Sequence, residues 1–117
     1  MLNIDAGSLE QTAEWLKAMA HPERLRLLGV LRAGEQCVCH LTAVLGQRQP
    51  YVSQQLAYLR DAGILADRKA GLRVYYHIAD VRVLPLLDAL DVHDENELAR
   101  ACDCPRCQEK TEKEALC

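Results

Sequence analysis

The chain has 117 residues, half of them apolar, 4% aromatic with no phenylalanine, and a net charge of −3. That is one domain's length with a core of Leu, Val, Ile and Ala, which suits helices better than an all-β sandwich. No apolar run approaches the ~20 residues that span a bilayer, and the N-terminus lacks the basic and apolar regions of a secretory signal, so a cytoplasmic chain with reduced thiols is expected.

Ser8 and Gln11 match a capping box, and Leu9, Ala13, Leu16 and Ala20 follow at helical spacing, predicting a first helix over 9–20. His21-Pro22 interrupts it, and Pro22 suits the first turn of a second helix over 23–33 with Gly34 as its stop. Val38, Leu41 and Leu45 predict a third, short helix over 37–45, ended by Gly46. A fourth starts at Gln49-Pro50 and runs to Asp61 or Ala62. Two short helices around Gly46-Gln-Arg-Gln49 have the form of a helix-turn-helix, whose second helix reads the major groove. Residues 64–68 and 73–78 then read as a hairpin around Lys69-Ala-Gly-Leu72. A last helix is expected over 81–99, with Pro85 in its first turn or kinking it, and Val83, Leu84, Leu87, Leu90 and Leu98 on its apolar side. The expected fold is mainly α with a β-hairpin, a winged helix-turn-helix in the order α-α-α-α-β-β-α. Residues 1–99 form this domain and 100–117 a cysteine-rich tail.

The overall acidity speaks against a nucleic-acid partner, but the charge is unevenly placed. Residues 1–46 carry −1, residues 47–82 carry +3 and residues 83–117 carry −5. The positive segment holds the expected reading helix and hairpin, where phosphate contacts are needed; the alternative is that its six basic side chains are merely solvated. At 100° per residue, Val52, Leu56 and Leu59 share one face of the fourth helix and Gln54 lies nearly opposite, with Tyr58 near that outer side and Tyr51 and Ser53 flanking. Gln54 is the candidate for a base-edge contact, since Gln pairs bidentately with adenine. Lys69 and Arg73 at the hairpin tip suit phosphate or the minor groove. The expected DNA-contacting set is Arg48, Gln49, Tyr51, Ser53, Gln54, Tyr58, Lys69 and Arg73.

The six cysteines are too sparse for a disulfide scaffold. In an ideal helix, Cys37 and Cys39 point about 200° apart, so two thiolates on one ion require an unwound helix end or an irregular first turn. The alternative is core packing, common for reduced cysteine. Cys102, Cys104 and Cys107 crowd three thiols into six residues of a charged tail, and the spacing of Cys104 and Cys107 is that of a zinc knuckle. Cys117 is a spare thiol. His40 is a further nitrogen donor or a helix-surface residue, His21 is structural, and His93 with its acidic neighbours is either a hard-ion site or an acidic surface. No Ser/His/acid grouping or Gly-rich phosphate loop points to an enzyme.

The runs Glu35-Gln-Cys-Val-Cys-His-Leu41, Gln47-Arg-Gln-Pro-Tyr-Val-Ser-Gln-Gln-Leu56 and Asp67-Arg-Lys-Ala-Gly-Leu-Arg-Val-Tyr-Tyr76, with Ala20-His-Pro-Glu-Arg-Leu25 before them, resemble the ArsR/SmtB metalloregulatory repressors over about residues 10 to 92. The resemblance implies a cytosolic homodimer that joins through its first and last helices, binds palindromic operator DNA and leaves it on binding a metal. It also implies that Cys37 and Cys39 are the family's arsenic, cadmium or lead ligand pair, although His40 stands where arsenical-resistance repressors have Asp. A second family site on the last helix keeps only Asp80 and His93 of its four ligands, Arg82 and Asn96 standing at the others, so no working zinc site is expected there.

The expected function is a repressor released from operator DNA when As(III), Cd(II), Pb(II) or Zn(II) binds Cys37, Cys39 and one or more of Cys102, Cys104 and Cys107. A thiol-based redox or persulfide sensor of the same fold is the main alternative, and a metal buffer without an operator the next.

Overall fold

The structure is a computed structural model that describes residues 6–93. Five helices and three strands follow one another as α1 (Ala6–Met19), α2 (Pro22–Leu31), β1 (Gln36–Cys37), α3 (Val38–Leu45), α4 (Gln49–Asp61), β2 (Leu65–Ala70), β3 (Arg73–Ile78) and α5 (Val83–Ala89). The winged helix-turn-helix is present, with one strand more than expected.

α1 begins two residues before Ser8, so Ser8 lies inside the helix and is not its cap; Ala6 is itself a strong helix former. His21 opens α2 as an extended N-cap whose Nδ1 accepts from the Glu23 amide at 3.1 Å, with Pro22 in the first turn. That helix stops at Leu31, two residues earlier than expected, and Gly34 lies beyond it with φ +139°. Gly46 closes α3 in the left-handed region, its N–H reaching the carbonyls of Thr42 and Ala43. This φ of +66° makes the sharp turn between α3 and α4, a conformation that glycine adopts at no steric cost.

β2 and β3 pair antiparallel, with Ala70 opposite Arg73. The turn is therefore the two residues Gly71-Leu72, tighter than the four expected, and Gly71 has the positive φ that such hairpins demand. On its other side β3 takes β1, Cys37 lying opposite Tyr75 and Gln36 opposite Tyr76, which gives the sheet order β1-β3-β2.

Leu27, Leu28, Leu41, Val52, Leu56, Leu59, Ile64, Val83 and Leu87 are fully buried in one core joining all the helices. The apolar face read for the fourth helix is the face it buries. α5 departs from expectation. It spans only Val83–Ala89, with Pro85 in its first turn, and ends at Leu90. Asp91 then turns left-handed at φ +57°, and Val92 packs back on the core. His93 therefore follows a chain reversal instead of lying on a helix. The rest of the expected helix, including Leu98, lies outside the described residues, as do the boundary at 99–100 and the tail cysteines.

Candidate nucleic-acid interface and thiol pair

α4 presents its polar side outward. Gln54, Gln49, Arg48 and Tyr58 are exposed, and Tyr51 and Ser53 half-buried. The helix is held from behind by Arg24 of α2, whose contacts no spacing in the sequence shows. Its Nε donates to Gln55 Oε1 at 2.8 Å, one terminal nitrogen donates to the Ala18 carbonyl at 3.2 Å, and the guanidinium lies 3.8 Å from the centre of the Tyr58 ring. Tyr58 is therefore engaged with Arg24 as well as facing outward. Gln55, nearly buried on the same helix, has its acceptor satisfied by this contact.

The basic side chains of residues 47–82 divide into two sets. Arg60 pairs with Asp61 and Asp67, Arg68 with Glu35, and Arg82 with Asp80. Arg48 and Lys69 are exposed. Arg73 is half-buried, and its Nη1 is buried without a hydrogen-bond partner. Arg68 also ties the wing to the segment before β1. It reaches both oxygens of Glu35, at 2.6 and 3.0 Å, and lies 4.7 Å from the Tyr75 ring centre. Those hydrogen bonds hold the Glu35 carboxyl below its usual range.

Cys37 is not helical. It pairs with Tyr75 in extended conformation and serves as the N-cap of α3, its fully buried Sγ accepting from the His40 amide at 3.4 Å. Cys39, half-buried, is the second residue of the helix. The pair thus straddles a strand–helix junction, where the 200° separation of an ideal helix does not apply. A two-residue strand has no periodicity to read, so Cys37 was expected in the helix. His40, an expected surface residue or donor, is buried. The two cysteines form no disulfide, and among the described residues no three His, Cys, Asp or Glu side chains gather as a metal site. They fit half of a thiolate site.

A cleft of about 240 Å³ runs between the Cys37–Cys39 segment, α4 and the wing. It is lined by Cys37, Val38 and Cys39, by Gln49 and Ser53 of α4, and by Leu72, Arg73, Val74 and Tyr76 of the wing. No part of this arrangement was visible as spacing, because its three walls are remote in sequence.

At the opposite end, Asp80 accepts from Trp15 Nε1 at 2.9 Å and from Arg82 at 2.7 and 3.0 Å, and Arg82 lies over the Trp15 ring. These hydrogen bonds, that from Arg82 first, hold the Asp80 carboxyl at about 2. Arg82 thus engages both oxygens of the Asp80 carboxylate. His93 is exposed, with Nδ1 3.6 Å from Asp91 Oδ1.

Residues 21–67 match the family model described as bacterial regulatory protein, arsR family. The biofilm growth-associated repressor of Agrobacterium fabrum is 42% identical over 80 residues, 68% of each chain. The chain belongs to the arsR family. As an arsR-family protein it is a DNA-binding transcriptional regulator of the repressor type and not an enzyme. The arsenic resistance transcriptional regulator of Pseudomonas putida is 49% identical over 63 residues, 53% of this chain and 49% of that one. Among solved structures, the homodimeric winged helix-turn-helix DNA-binding domain of a possible ArsR-family regulator from Mycobacterium bovis superposes with a TM-score of 0.69. It has 32% identity and covers 79% of this chain and 88% of that one. Among the described residues no helix is long and apolar enough to cross a membrane.

Proposed function

We propose that this arsR-family repressor binds operator DNA as a homodimer and leaves it when a thiophilic ion joins Cys37 and Cys39. As(III), Cd(II), Pb(II) and Zn(II) are the candidate ions, and one or more of Cys102, Cys104 and Cys107 complete the thiolate set. The observation that supports this reading is the cleft between the Cys37–Cys39 segment, Gln49 and Ser53 of α4 and Arg73 of the wing, with the Cys37 sulfur buried directly behind it. Occupying it acts on both DNA-contacting elements at once. A coupling of ~1–3 kcal/mol between the two ligands weakens DNA binding about 5- to 150-fold. Sulfur is the soft donor these ions prefer, and the Cys37 sulfur sits at the N-terminus of α3, where the helix dipole would favour a metal-bound thiolate. The arsenic resistance regulator among the relatives supports a metalloid effector.

Two further observations support the DNA-bound dimer. Leu9 and Leu16 on α1, and Val81, Leu84 and Leu90 at α5, are exposed large apolar side chains, an unusual cost unless a second copy covers them. The Mycobacterium bovis neighbour is homodimeric. Gln54 is proposed for base contact, with Arg48, Gln49, Tyr51, Ser53, Tyr58, Lys69 and Arg73 placing α4 and the wing on the DNA.

The test is operator binding by the reduced full-length protein, followed by fluorescence anisotropy. Each ion is added to the wild type, to Cys37→Ser and to Cys39→Ser, and to a variant with serine at 102, 104 and 107. The wild type should release DNA and both single variants should hold it. Normal release by both single variants would remove the pair as the sensor, and normal release by the triple variant would remove the tail. Lys69→Ala should lower the salt dependence of binding by about one unit of slope, while Gln54→Ala should relax sequence preference.

A further inference from the structure

α1, α2 and α4 meet on one side chain. The carbonyl of Ala18 lies in the last turn of α1, and in a continuing helix the amide four residues on would serve it. Residue 22 is proline and has no amide hydrogen. Arg24 supplies the missing donor, at 3.2 Å. The same guanidinium donates from Nε to Gln55 Oε1 at 2.8 Å and lies 3.8 Å from the centre of the Tyr58 ring. Ala18 is 1% and Gln55 8% exposed, so both hydrogen bonds are shielded from water.

The two contacts on α4 fix its roll as well as its position. Gln55 and Tyr58 are three residues apart and share one side of the helix. Gln54 stands about 100° round from Gln55, so holding Gln55 inward keeps Gln54 aimed outward, where it is exposed. α1, the other helix on this clasp, carries exposed Leu9 and Leu16, part of the surface assigned above to a second copy. Arg24 thus stands between the dimer-facing helix and the DNA-reading helix and bonds to both.

We propose that Arg24 is a positioning residue for DNA binding: its clasp fixes α4 against α1 and so sets the half-site separation that the dimer accepts. The inference rests on the dimer reading above and names the residue that governs its geometry. One base pair inserted between half-sites moves each relative to the other by about 3.4 Å and turns it by about 35°. A reading helix free to shift and roll follows such a change, and a clasped one does not.

The test uses reduced full-length protein and a palindromic DNA selected by the wild type from a random-sequence pool. Anisotropy titrations compare this DNA with the same sequence carrying one base pair more or fewer between its half-sites. The readout is the ratio of affinities within each protein. Simple destabilisation leaves fewer folded molecules, which weakens binding to every DNA equally and leaves the ratio unchanged. Wild type should prefer the selected spacing by about tenfold or more, and Arg24→Ala should keep about threefold or less. Arg24→Lys retains the charge, but one ammonium cannot span a carbonyl, an amide oxygen and a ring face. Its ratio should fall with that of the alanine variant, and it decides the matter if Arg24→Ala yields too little folded protein. A wild-type ratio in Arg24→Lys overturns the inference and leaves the dimer reading standing. A wild type that binds all three spacings alike overturns both.

Discussion

Arg24 holds three groups at once: the amide oxygen of buried Gln55, the carbonyl of Ala18 and the face of Tyr58. Truncation leaves the Gln55 oxygen without its donor and Tyr58 without its stacking partner. Arg24→Ala should therefore cost about 1–3 kcal/mol, since a nearly buried acceptor loses a charged hydrogen bond and a cation–π contact goes with it. Urea unfolding should show a lower midpoint with unchanged slope. An unaltered midpoint would mean that the contact positions α4 without stabilising it. Arg24 gave no sign of this role in the sequence, because its partners lie 6, 31 and 34 residues away. Gln54 is the opposite case: the 3.6-residue period alone placed it opposite Val52, Leu56 and Leu59, and that face is the exposed one.

α2 and the segment after α5 approach so closely that Gly29 has no room for a side chain. A Cβ there would lie 3.0 Å from both the carbonyl carbon and the oxygen of His93. Backbone cannot swing aside as a flexible side chain does, so Gly29→Ala should push Val92 and His93 away from α2. The expected cost is about 1–3 kcal/mol, typical of overpacking, despite alanine's better helix propensity. Calorimetric unfolding should show the lowered midpoint, and an unchanged or raised one would disprove the tight approach. Arg32 reinforces the contact, donating to the Val92 carbonyl at 2.6 Å and pairing with Asp88. The end of α5 was illegible for a physical reason. Leu90 and Val92 continue the apolar pattern, while the break is made by Asp91 entering the left-handed region, which Asp tolerates better than most residues but does not announce. β1 escaped for want of length. The long periodic segments of α2, α4 and the wing strands were legible because burial on one face imposes their period.

At the scale of the whole molecule, Asp80 joins the two ends of the fold through Trp15 of α1 and Arg82 at the start of α5. Its carboxyl is held at about 2 against the usual 3.8. The folded chain therefore binds this proton less readily than the unfolded chain. Its contribution is complete above about pH 5 and is lost as pH falls from there towards 2. Because Arg82 is largely exposed, about 1–2 kcal/mol is expected after solvent screening, below what the shift alone implies. Asp80→Asn should lower stability at pH 7 by that amount and flatten the acid limb; parallel limbs for both proteins would show that Asp80 is not the group concerned.

The two-residue strand that carries Cys37 has one more consequence. β3 is the central strand of the sheet, and β1 covers its otherwise open edge at Tyr75 and Tyr76. Drawing Cys37 out of register bares backbone donors and acceptors on a strand rich in β-branched and aromatic residues, a template for pairing with another molecule. Thiol chemistry at this position and resistance to strand-to-strand self-association are thus vested in the same two residues. Chains altered at Cys37 should be judged for colloidal behaviour before any loss of response is read as a loss of sensing.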